Sequence, residues 1–440
     1  MIVANYSRSS GRGSPFSNIE FLYSLRPTDM KLGLENITAV LDHLGNPQNS
    51  FPSVLVAGTN GKGSVSAYLS SILRAAGLKT GTFYSPHLFR INERIQVNGR
   101  EIPSRVLDDY LGELRSIYSR SPFTFFEGVT AAAILHFVES EVDAAVFEVG
   151  LGGRLDATRL VNSVLSVITG ISMDHTRHLG STREKILTEK LGVVKGGSPV
   201  VVNLASPSLA SLAGEYCGET GSPIYNAHEE SETELRSIRA EKMLFTLRTD
   251  SYDYGDLESR IIGKHQLRNI ATAVRSAEVL SGITGKDFRS VAGGGIAKAF
   301  LPGRFQVLSG RPRIILDVSH NEESLLGSLS TLEAVSEPEH SIIVFGCMER
   351  KDLGSFPEKA INSSRLLLLA PLKNSGAATA EDLAARFNLE GKEAGPDGDL
   401  PQLCGGMGEA LERALGSAEG DDTVLVLGSH HAVEEAVSSL

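Results

Sequence analysis

Short, wholly apolar runs alternate with segments of helical periodicity along the first half of the chain. The runs read SVLVAG (53–58), AAVFEVG (144–150), VLSVITG (164–170) and SPVVVN (198–203). Strands that lack polar alternation are typical of a parallel sheet covered on both faces. Between these runs, apolar residues recur every three or four positions over 65–73 and 106–117. The pattern predicts βαβ units and a doubly wound α/β fold.

A second series of apolar runs follows a glycine-rich connection that contains Pro302. These runs read RIILDVSHN (313–321), SIIVFGC (341–347), RLLLLA (365–370) and TVLVLGS (423–429). We therefore place a boundary near Leu301, between a P-loop-type domain over 1–300 and a smaller Rossmann-like α/β domain over 301–440. Because open α/β sheets bind ligands beyond the carboxyl ends of their strands, we expect both domains to line one cleft.

The segment between the two series is harder to assign. Residues 226–242 are dense in charge and poor in apolar side chains, so we interpret them as a solvated excursion. The runs MLFTLR (243–248) and SRIIGK (259–264) are predicted to be short strands at the edge of the first domain.

Composition narrows the class of protein. A chain of 440 residues is longer than a domain with a single hydrophobic core usually is, so two domains are expected. Its net charge of −11 argues against a nucleic-acid partner, although an acidic protein can hold a local basic pocket. No apolar run has the length of a bilayer span, and the N-terminus lacks the apolar core of a signal peptide. With three scattered cysteines, these features predict a cytoplasmic protein without a membrane partner.

The strongest candidate for chemistry is the sequence GTNGKGS, which follows the first apolar run. It contains Gly58, Thr59, Asn60, Gly61, Lys62, Gly63 and Ser64. Compared with the usual GxxxxGK[ST] loop, the glycines are closer together and a glycine separates lysine from serine. A strand, a glycine-rich loop and a helix start still form an anion cradle, in which Lys62 reaches the outer phosphates. Ser64 or Thr59 would then approach a phosphate or Mg²⁺. A tight βα turn with an incidental lysine is the alternative.

This spelling resembles the ATP loop of folylpolyglutamate synthases, often bifunctional with dihydrofolate synthase, in the Mur ligase superfamily. Further motifs follow the family's order from about residue 32 to residue 321: LGLENI, LGNPQNSFP, SPHLFRINERI, TFFEGVTAAA, FEVGLGGRLDAT, ISMDHTRHLG, EKLGVVK, GKHQLRNIATA, LPGRFQ and SHN. The resemblance implies ATP-dependent addition of L-glutamate to a pterin or folate carboxylate through an acyl phosphate. It also implies two Mg²⁺ sites and a monomer.

The resemblance assigns Mg²⁺ ligands in the first domain, namely Ser64, Ser85, Glu148, His175 and Lys190. Glu148 ends an apolar strand, where a carboxylate requires a cation or good donors, and a solvated strand end is the less favoured alternative. Mg²⁺ prefers oxygen to imidazole, so the role of His175 depends on the resemblance alone. Asp174 could orient a ligand or the metal.

Lys190 is the least obvious of these residues, because the composition of the segment around it suggests a lysine on the surface of a helix. In the resembling family this lysine is carbamylated. Lys195, five residues later, would be the matching lysine if the motif were aligned in the alternative register. The implied catalytic residues are Lys62, His175 and Lys190.

Other motifs are expected to bind the organic parts of the substrates. The resemblance assigns Asn269 and Gln266 to the nucleotide. From their positions, Arg304 at the domain junction is expected to clamp phosphate, Asp317 at a strand end to bind the ribose, and His320 to lie near the phosphates. Phe126 offers a stacking surface for a pterin or p-aminobenzoyl ring, although a core phenylalanine fits as well. Asp156 is expected to hydrogen-bond a pterin. Lys351 and Asp352 are expected near glutamate or phosphate.

The second domain departs from the family pattern. Where the family reads DGAHNP, this chain has DVSHNE, with Val318, Ser319 and Glu322 at the changed positions. Near the C-terminus, where the family tends to read GSLYLVGE, this chain has GSHHAVEE, with His430 and His431. Two alternatives therefore remain open, a Mur-type cell-wall ligase and a nucleotide-binding module without ligase activity. A cell-wall ligase would carry a further N-terminal domain, whereas about fifty residues precede the loop here.

Overall fold

The computed structural model describes residues 17–25, 33–308, 310–389 and 401–440. The N-terminal segment on which the signal-peptide argument rests therefore lies outside the described residues up to position 16. In the described part, no helix combines the length and the apolar character needed to cross a membrane.

The first domain is built on one large sheet. Its strands are β1 (Ser53–Ala57), β2 (Thr80–Phe83), β3 (Ile95–Val97), β4 (Arg100–Glu101), β5 (Ala144–Glu148), β6 (Ser163–Ile168), β7 (Val200–Val202) and β8 (Ile224–Asn226). They lie in the order β4-β3-β2-β5-β1-β6-β7-β8. The strands from β2 to β8 in this order pair in parallel, while β3 and β4 add an antiparallel edge. The predicted doubly wound sheet is confirmed.

Helices cover both faces of this sheet. They are α1 (Ser17–Ser24), α2 (Glu35–His43), α3 (Lys62–Ala75), α4 (Ser104–Ile117), α5 (Phe125–Glu139), α6 (Thr176–Leu179), α7 (Arg183–Leu191), α8 (Pro207–Thr220), α9 (Gln266–Thr284) and α10 (Arg289–Lys298). One apolar core joins α3, α9 and α10 to one face, and the other lies beneath α4, α5 and α7. This layering explains why the strand sequences are apolar throughout.

The charged excursion expected at 226–242 is a strand instead. A separate antiparallel sheet contains β9 (Ser231–Arg239), β10 (Lys242–Thr249) and β11 (Asp253–Ser259), in the order β11-β10-β9. Leu235 and Ile238 of β9 pack against the core while charged neighbours point outward. The expectation of an edge strand over SRIIGK is also wrong, because β11 ends at Ser259.

The second domain contains a six-stranded mixed sheet. Its strands are β12 (Gln306–Leu308), β13 (Arg313–Leu316), β14 (Ser341–Phe345), β15 (Leu366–Leu369), β16 (Gln402–Leu403) and β17 (Thr423–Leu427). Its order is β12-β13-β17-β14-β15-β16, and β12 is the antiparallel strand. The accompanying helices are α11 (Glu322–Glu333), α12 (Phe356–Asn362), α13 (Ala380–Arg386), α14 (Met407–Ser417) and α15 (His430–Val437). The segment from α10 to β12 contains Leu301, where we keep the proposed boundary.

Candidate active site

The GTNGKGS segment forms a tight loop between β1 and α3. Gly58 and Gly61 have φ of 148° and 88°, in the left-handed half of backbone space that favours glycine. A Cβ atom at Gly58 would overlap the hydroxyl of Thr169, and one at Gly61 would overlap the amide oxygen of Asn269. The loop is therefore held by neighbouring elements on two sides. Lys62 begins α3, so the helix N-terminus faces the same space as the lysine.

Two lysine side chains converge on one carbonyl of this loop. The Nζ atom of Lys62 donates to the carbonyl oxygens of Gly58 and Thr59, at 3.1 Å each. The Nζ atom of Lys190 donates to the same Gly58 oxygen at 2.7 Å. Burial, together with the nearby Lys62 ammonium, lowers the pKa of Lys190 to about 7. The helix-surface interpretation of Lys190 is wrong, because the side chain is only 4% exposed.

Glu148 ends β5 directly beside the loop. Its Oε2 atom accepts a hydrogen bond from the backbone nitrogen of Ser85 at 3.1 Å and lies 3.3 Å from the place of a Cβ on Gly63. Burial raises the pKa of this carboxyl, while Lys62 and the Ser85 N–H oppose the rise. The Glu148 side chain is 4% exposed, so a solvated strand end is excluded.

The oxygen atoms around Glu148 fit a hard cation. Glu148 and Ser85 line the cleft and supply a carboxylate and a hydroxyl group, whereas Ser64 is 2% exposed and is not among the lining residues. Mg²⁺ commonly completes its shell with water and phosphate oxygens. In the described part of the chain, no group of three or more His, Cys, Asp or Glu side chains could hold a metal alone. The residues present therefore suit Mg²⁺ that arrives with a nucleotide.

Asp174 joins the two domains at the cleft. Its Oδ1 atom lies 2.8 Å from the Nζ atom of Lys351, and its Oδ2 atom lies 3.6 Å from Nε2 of His320. Burial alone would raise the pKa of Asp174, but His320, His175 and Lys351 hold it well below its usual value. Partial burial lowers the pKa of His175 to about 4, although Asp174 pulls the other way and the side chain is 49% exposed. The structure thus places His175, His320 and Lys351 together.

The residues assigned to the nucleotide occupy two kinds of position. Gln266 accepts a hydrogen bond from the Asn269 side chain at 2.8 Å, and Asn269 borders the loop at Gly61. Arg304 lines the cleft beside Lys62. Asp317 is different, since one oxygen accepts the backbone N–H of Phe305 at 3.0 Å and the other binds Ser319. It is 3% exposed, so its assignment to ribose stays a prediction.

The two residues expected at the acid substrate line the same cleft, which has a volume of about 1360 Å³. The ring of Phe126 lies over Gly150, where a Cβ would come within 2.6 Å of it, and it is more exposed than the core ring of Phe83. Asp156 is 4% exposed and accepts hydrogen bonds from the N–H groups of Leu151 and Thr158, at 2.9 and 3.0 Å. In this structure Asp156 therefore shapes the wall of the cleft.

Sequence reasoning missed a buried cation on that wall. Arg94 is 6% exposed, donates to His87 at 2.8 Å and to the Ser85 hydroxyl at 3.3 Å, and lies 5.5 Å from the ring centre of Phe125. The available signal in the sequence was its position as the second arginine of the motif SPHLFRINERI, directly before strand β3.

Contacts from the second domain to the GTNGKGS loop were also missed. The side chains of Asn60 and Asn321 exchange hydrogen bonds at 3.3 and 2.9 Å. Glu323 accepts a further hydrogen bond from Asn60 at 2.9 Å and contacts the hydroxyl of Ser172. Because Asn60 and Asn321 are 261 positions apart, no local pattern could reveal this contact.

The departures from the family pattern have structural counterparts. Val318 is 1% exposed and packs against Gly303, and Ser319 binds Asp317. His430 and His431 begin α15 and line the cleft, where His431 meets Asn374 at 3.1 Å.

Comparison with known families and proteins gives one consistent result. The Mur ligase middle domain matches residues 56–277, and the glutamate ligase domain of Mur ligases matches residues 303–430. The dihydrofolate synthase/folylpolyglutamate synthase of Escherichia coli is 33% identical over 97% of this chain and 96% of that protein. Its counterpart in Bacillus subtilis is 30% identical over 92% and 94%. This chain spans about half (49%) of a Haloferax volcanii relative named as a probable bifunctional folylpolyglutamate synthase/dihydropteroate synthase, and is 33% identical to it.

Solved structures agree with these sequence matches. The E. coli enzyme in complex with DHPP and ADP superimposes with a TM-score of 0.82 at 30% identity, covering 96% of this chain and 97% of that one. A bifunctional folylpolyglutamate synthase/dihydrofolate synthase with Mn, AMPPNP and L-glutamate bound gives 0.82 at 29% identity, with the same coverage. The loop, the cleft and these matches together show that the chain belongs to the dihydrofolate synthase/folylpolyglutamate synthase family of Mur ligases.

Proposed function

We propose that this protein joins L-glutamate to both dihydropteroate and reduced folates. Family membership makes it an ATP-dependent carboxylate–amine ligase and favours this over a cell-wall ligase or an inactive module. The acid carboxylate attacks the γ-phosphate of ATP, forming an acyl phosphate and releasing ADP. The amine of glutamate then attacks the acyl carbon, an amide bond forms, and phosphate leaves. The observation that carries the proposal is the joint lining of one cleft by Lys62, Glu148, His175, Lys190 and Arg304.

The cleft supplies the charges that this reaction needs. Lys62 and Arg304 face a space between the domains where anionic phosphates and carboxylates must approach each other. We propose that Ser64, Ser85 and Glu148 hold one Mg²⁺, and that His175 and a modified Lys190 hold a second. Bound Mg²⁺ would neutralise charge on the phosphoryl oxygens, while Lys62 stabilises the charge that develops during transfer.

Carbamylation of Lys190 is supported by its environment. A lysine must be neutral to attack CO₂, and a pKa of about 7 makes much of this amine neutral under mild conditions. The Lys62 ammonium is among the charges that lower this pKa. Conversion of the amine to a carbamate would replace that repulsion by attraction and create oxygen ligands beside the loop.

We assign the pterin or p-aminobenzoyl ring to the wall formed by Phe126, and glutamate to the side of the cleft formed by the second domain. Phe126→Ala should raise the KM of the acid substrate about three- to tenfold, because a stacking surface is lost. The KM of ATP should not change. Steady-state kinetics would measure both values, with Phe300→Ala as a control, because Phe300 is 58% exposed and does not line this cleft. An unchanged KM for the acid substrate would show that Phe126 packs against the protein and does not contact the substrate ring.

The deciding experiment is ADP release by the purified protein with Mg·ATP, L-glutamate and either dihydropteroate or a reduced monoglutamyl folate, with each component omitted in turn. We expect release to require both an acid and glutamate, and both acids to support it. Release without an acid would contradict the proposed reaction, and activity with one acid alone would remove the bifunctional assignment. The same preparation tests the proposed monomer by light scattering. A cytoplasmic location is supported by three cysteines that are all free and buried.

A further inference from the structure

Glu322 supports a loop that the proposed reaction uses. It is the first residue of α11, at the position where the resembling family carries proline. Its Oε1 atom accepts hydrogen bonds from the backbone nitrogen and the hydroxyl of Ser355, at 2.9 and 3.1 Å. Ser355 ends the segment 346–355 between β14 and α12, which we call the Lys351 loop. The changed residue thus makes a contact that proline could not make.

The Lys351 loop approaches Glu322 very closely. Gly354 has a φ of 50°, and a Cβ atom on it would overlap the carboxyl group of Glu322. Its N–H donates to Asp352 at 3.0 Å. The loop therefore turns on a glycine that leaves room for the Glu322 carboxylate.

Arg386 holds the other side of the same loop. Its guanidinium donates to the carbonyl oxygen of Lys351 at 3.0 Å and to that of Glu349. The N–H of Glu349 also binds the Gly376 carbonyl at 2.9 Å. The backbone on both sides of Lys351 is therefore fixed, and its side chain reaches across the cleft to Asp174 at 2.8 Å.

Within the described part of the second domain, Lys351 is the lysine that lines the cleft. Lys62 belongs to the phosphate loop, and Arg304 lies at the domain junction. A free amino acid that enters from the side of the second domain would meet Lys351 as its cation. We propose that Glu322 is a positioning residue, which fixes the Lys351 loop and through Lys351 sets the affinity for the incoming glutamate. This inference rests on the proposed function.

The test compares Glu322→Ala and Glu322→Pro with the wild-type protein. Proline is favourable at the first position of a helix, so Glu322→Pro should fold while it also removes the acceptor. We expect both variants to raise the KM of glutamate about five- to tenfold, because a charged acceptor of two hydrogen bonds is lost. The KM of ATP should not change. Glu358→Ala is the matched control, because Glu358 is exposed in the first turn of the neighbouring α12.

A double-mutant cycle separates positioning from a general structural effect. Adding Glu322→Ala to Lys351→Met should not raise the glutamate KM further, because Glu322 acts through Lys351. Full additivity, or an unchanged glutamate KM in both single Glu322 variants, would overturn the inference. If the wild-type protein itself showed no glutamate-dependent ADP release, the proposed function would fail instead.

Discussion

Lys62→Met should lower kcat about 10²- to 10³-fold, the range seen when one preorganised group that stabilises transition-state charge is removed. In the structure its ammonium donates to the carbonyls of Gly58 and Thr59, at the start of α3 and beside Glu148. Lys62 also lines the cleft in which we propose that the phosphates of ATP lie. Methionine keeps the apolar character of the stem and removes the charge together with its two hydrogen bonds to the loop.

The measurement is ADP release at saturating substrates, together with nucleotide affinity by calorimetry. A fall in kcat much larger than the fall in nucleotide affinity would show that the Lys62 charge stabilises the transition state more than the bound nucleotide. Lys79→Met is the control, because Lys79 is exposed on the far end of the same βα unit. A variant that kept a tenth or more of the wild-type kcat would contradict this role for Lys62.

Lys190→Met should lower kcat about 10²-fold and make the protein more stable at neutral pH. The folded pKa of about 7 lies below the unfolded value of 10.5, so between these values the unfolded chain binds a proton that the folded protein lacks. Stability of the wild-type protein therefore rises with pH across this window. Methionine removes this penalty, so its advantage should be largest at pH 7 and below and should shrink toward pH 10. Loss of one ligand that stabilises charge should lower kcat about 10²-fold.

Thermal unfolding in buffer depleted of CO₂ measures the stability difference, and kinetics in the same buffer measures activity. Adding ¹³C-bicarbonate should restore wild-type activity and give a carbamate carbon signal in NMR that Lys190→Met lacks. Lys185→Met is the control, because it lies on the same helix α7 and is exposed. Equal activity with and without bicarbonate, and no carbamate signal, would contradict carbamylation.

Local patterns predicted the parts of the site that are local in the chain. The apolar strand β1, the glycine spacing and the start of α3 are contiguous, so hydrophobic periodicity and backbone preference suffice to place Lys62 at a helix N-terminus. The same reasoning failed at β9, because a strand in a small half-exposed sheet alternates charged and apolar residues and resembles a solvated segment. Leu235 and Ile238 were the available signal.

By itself, the sequence determined the doubly wound fold, the glycine-rich loop before α3 and membership in the ligase family, because these depend on contiguous residues and their order. Tertiary structure decided the burial, the pKa and the hydrogen-bond partners of the side chains in the site. Lys190 is a buried lysine with a lowered pKa because folding brings its side chain to the Gly58 carbonyl, 132 positions away, and Asp317 binds the backbone N–H of Phe305, 12 positions away. The contact between Asp174 and Lys351 joins residues 177 positions apart. Burial and long-range electrostatics depend on that packing, and neither can be read from neighbours along the chain.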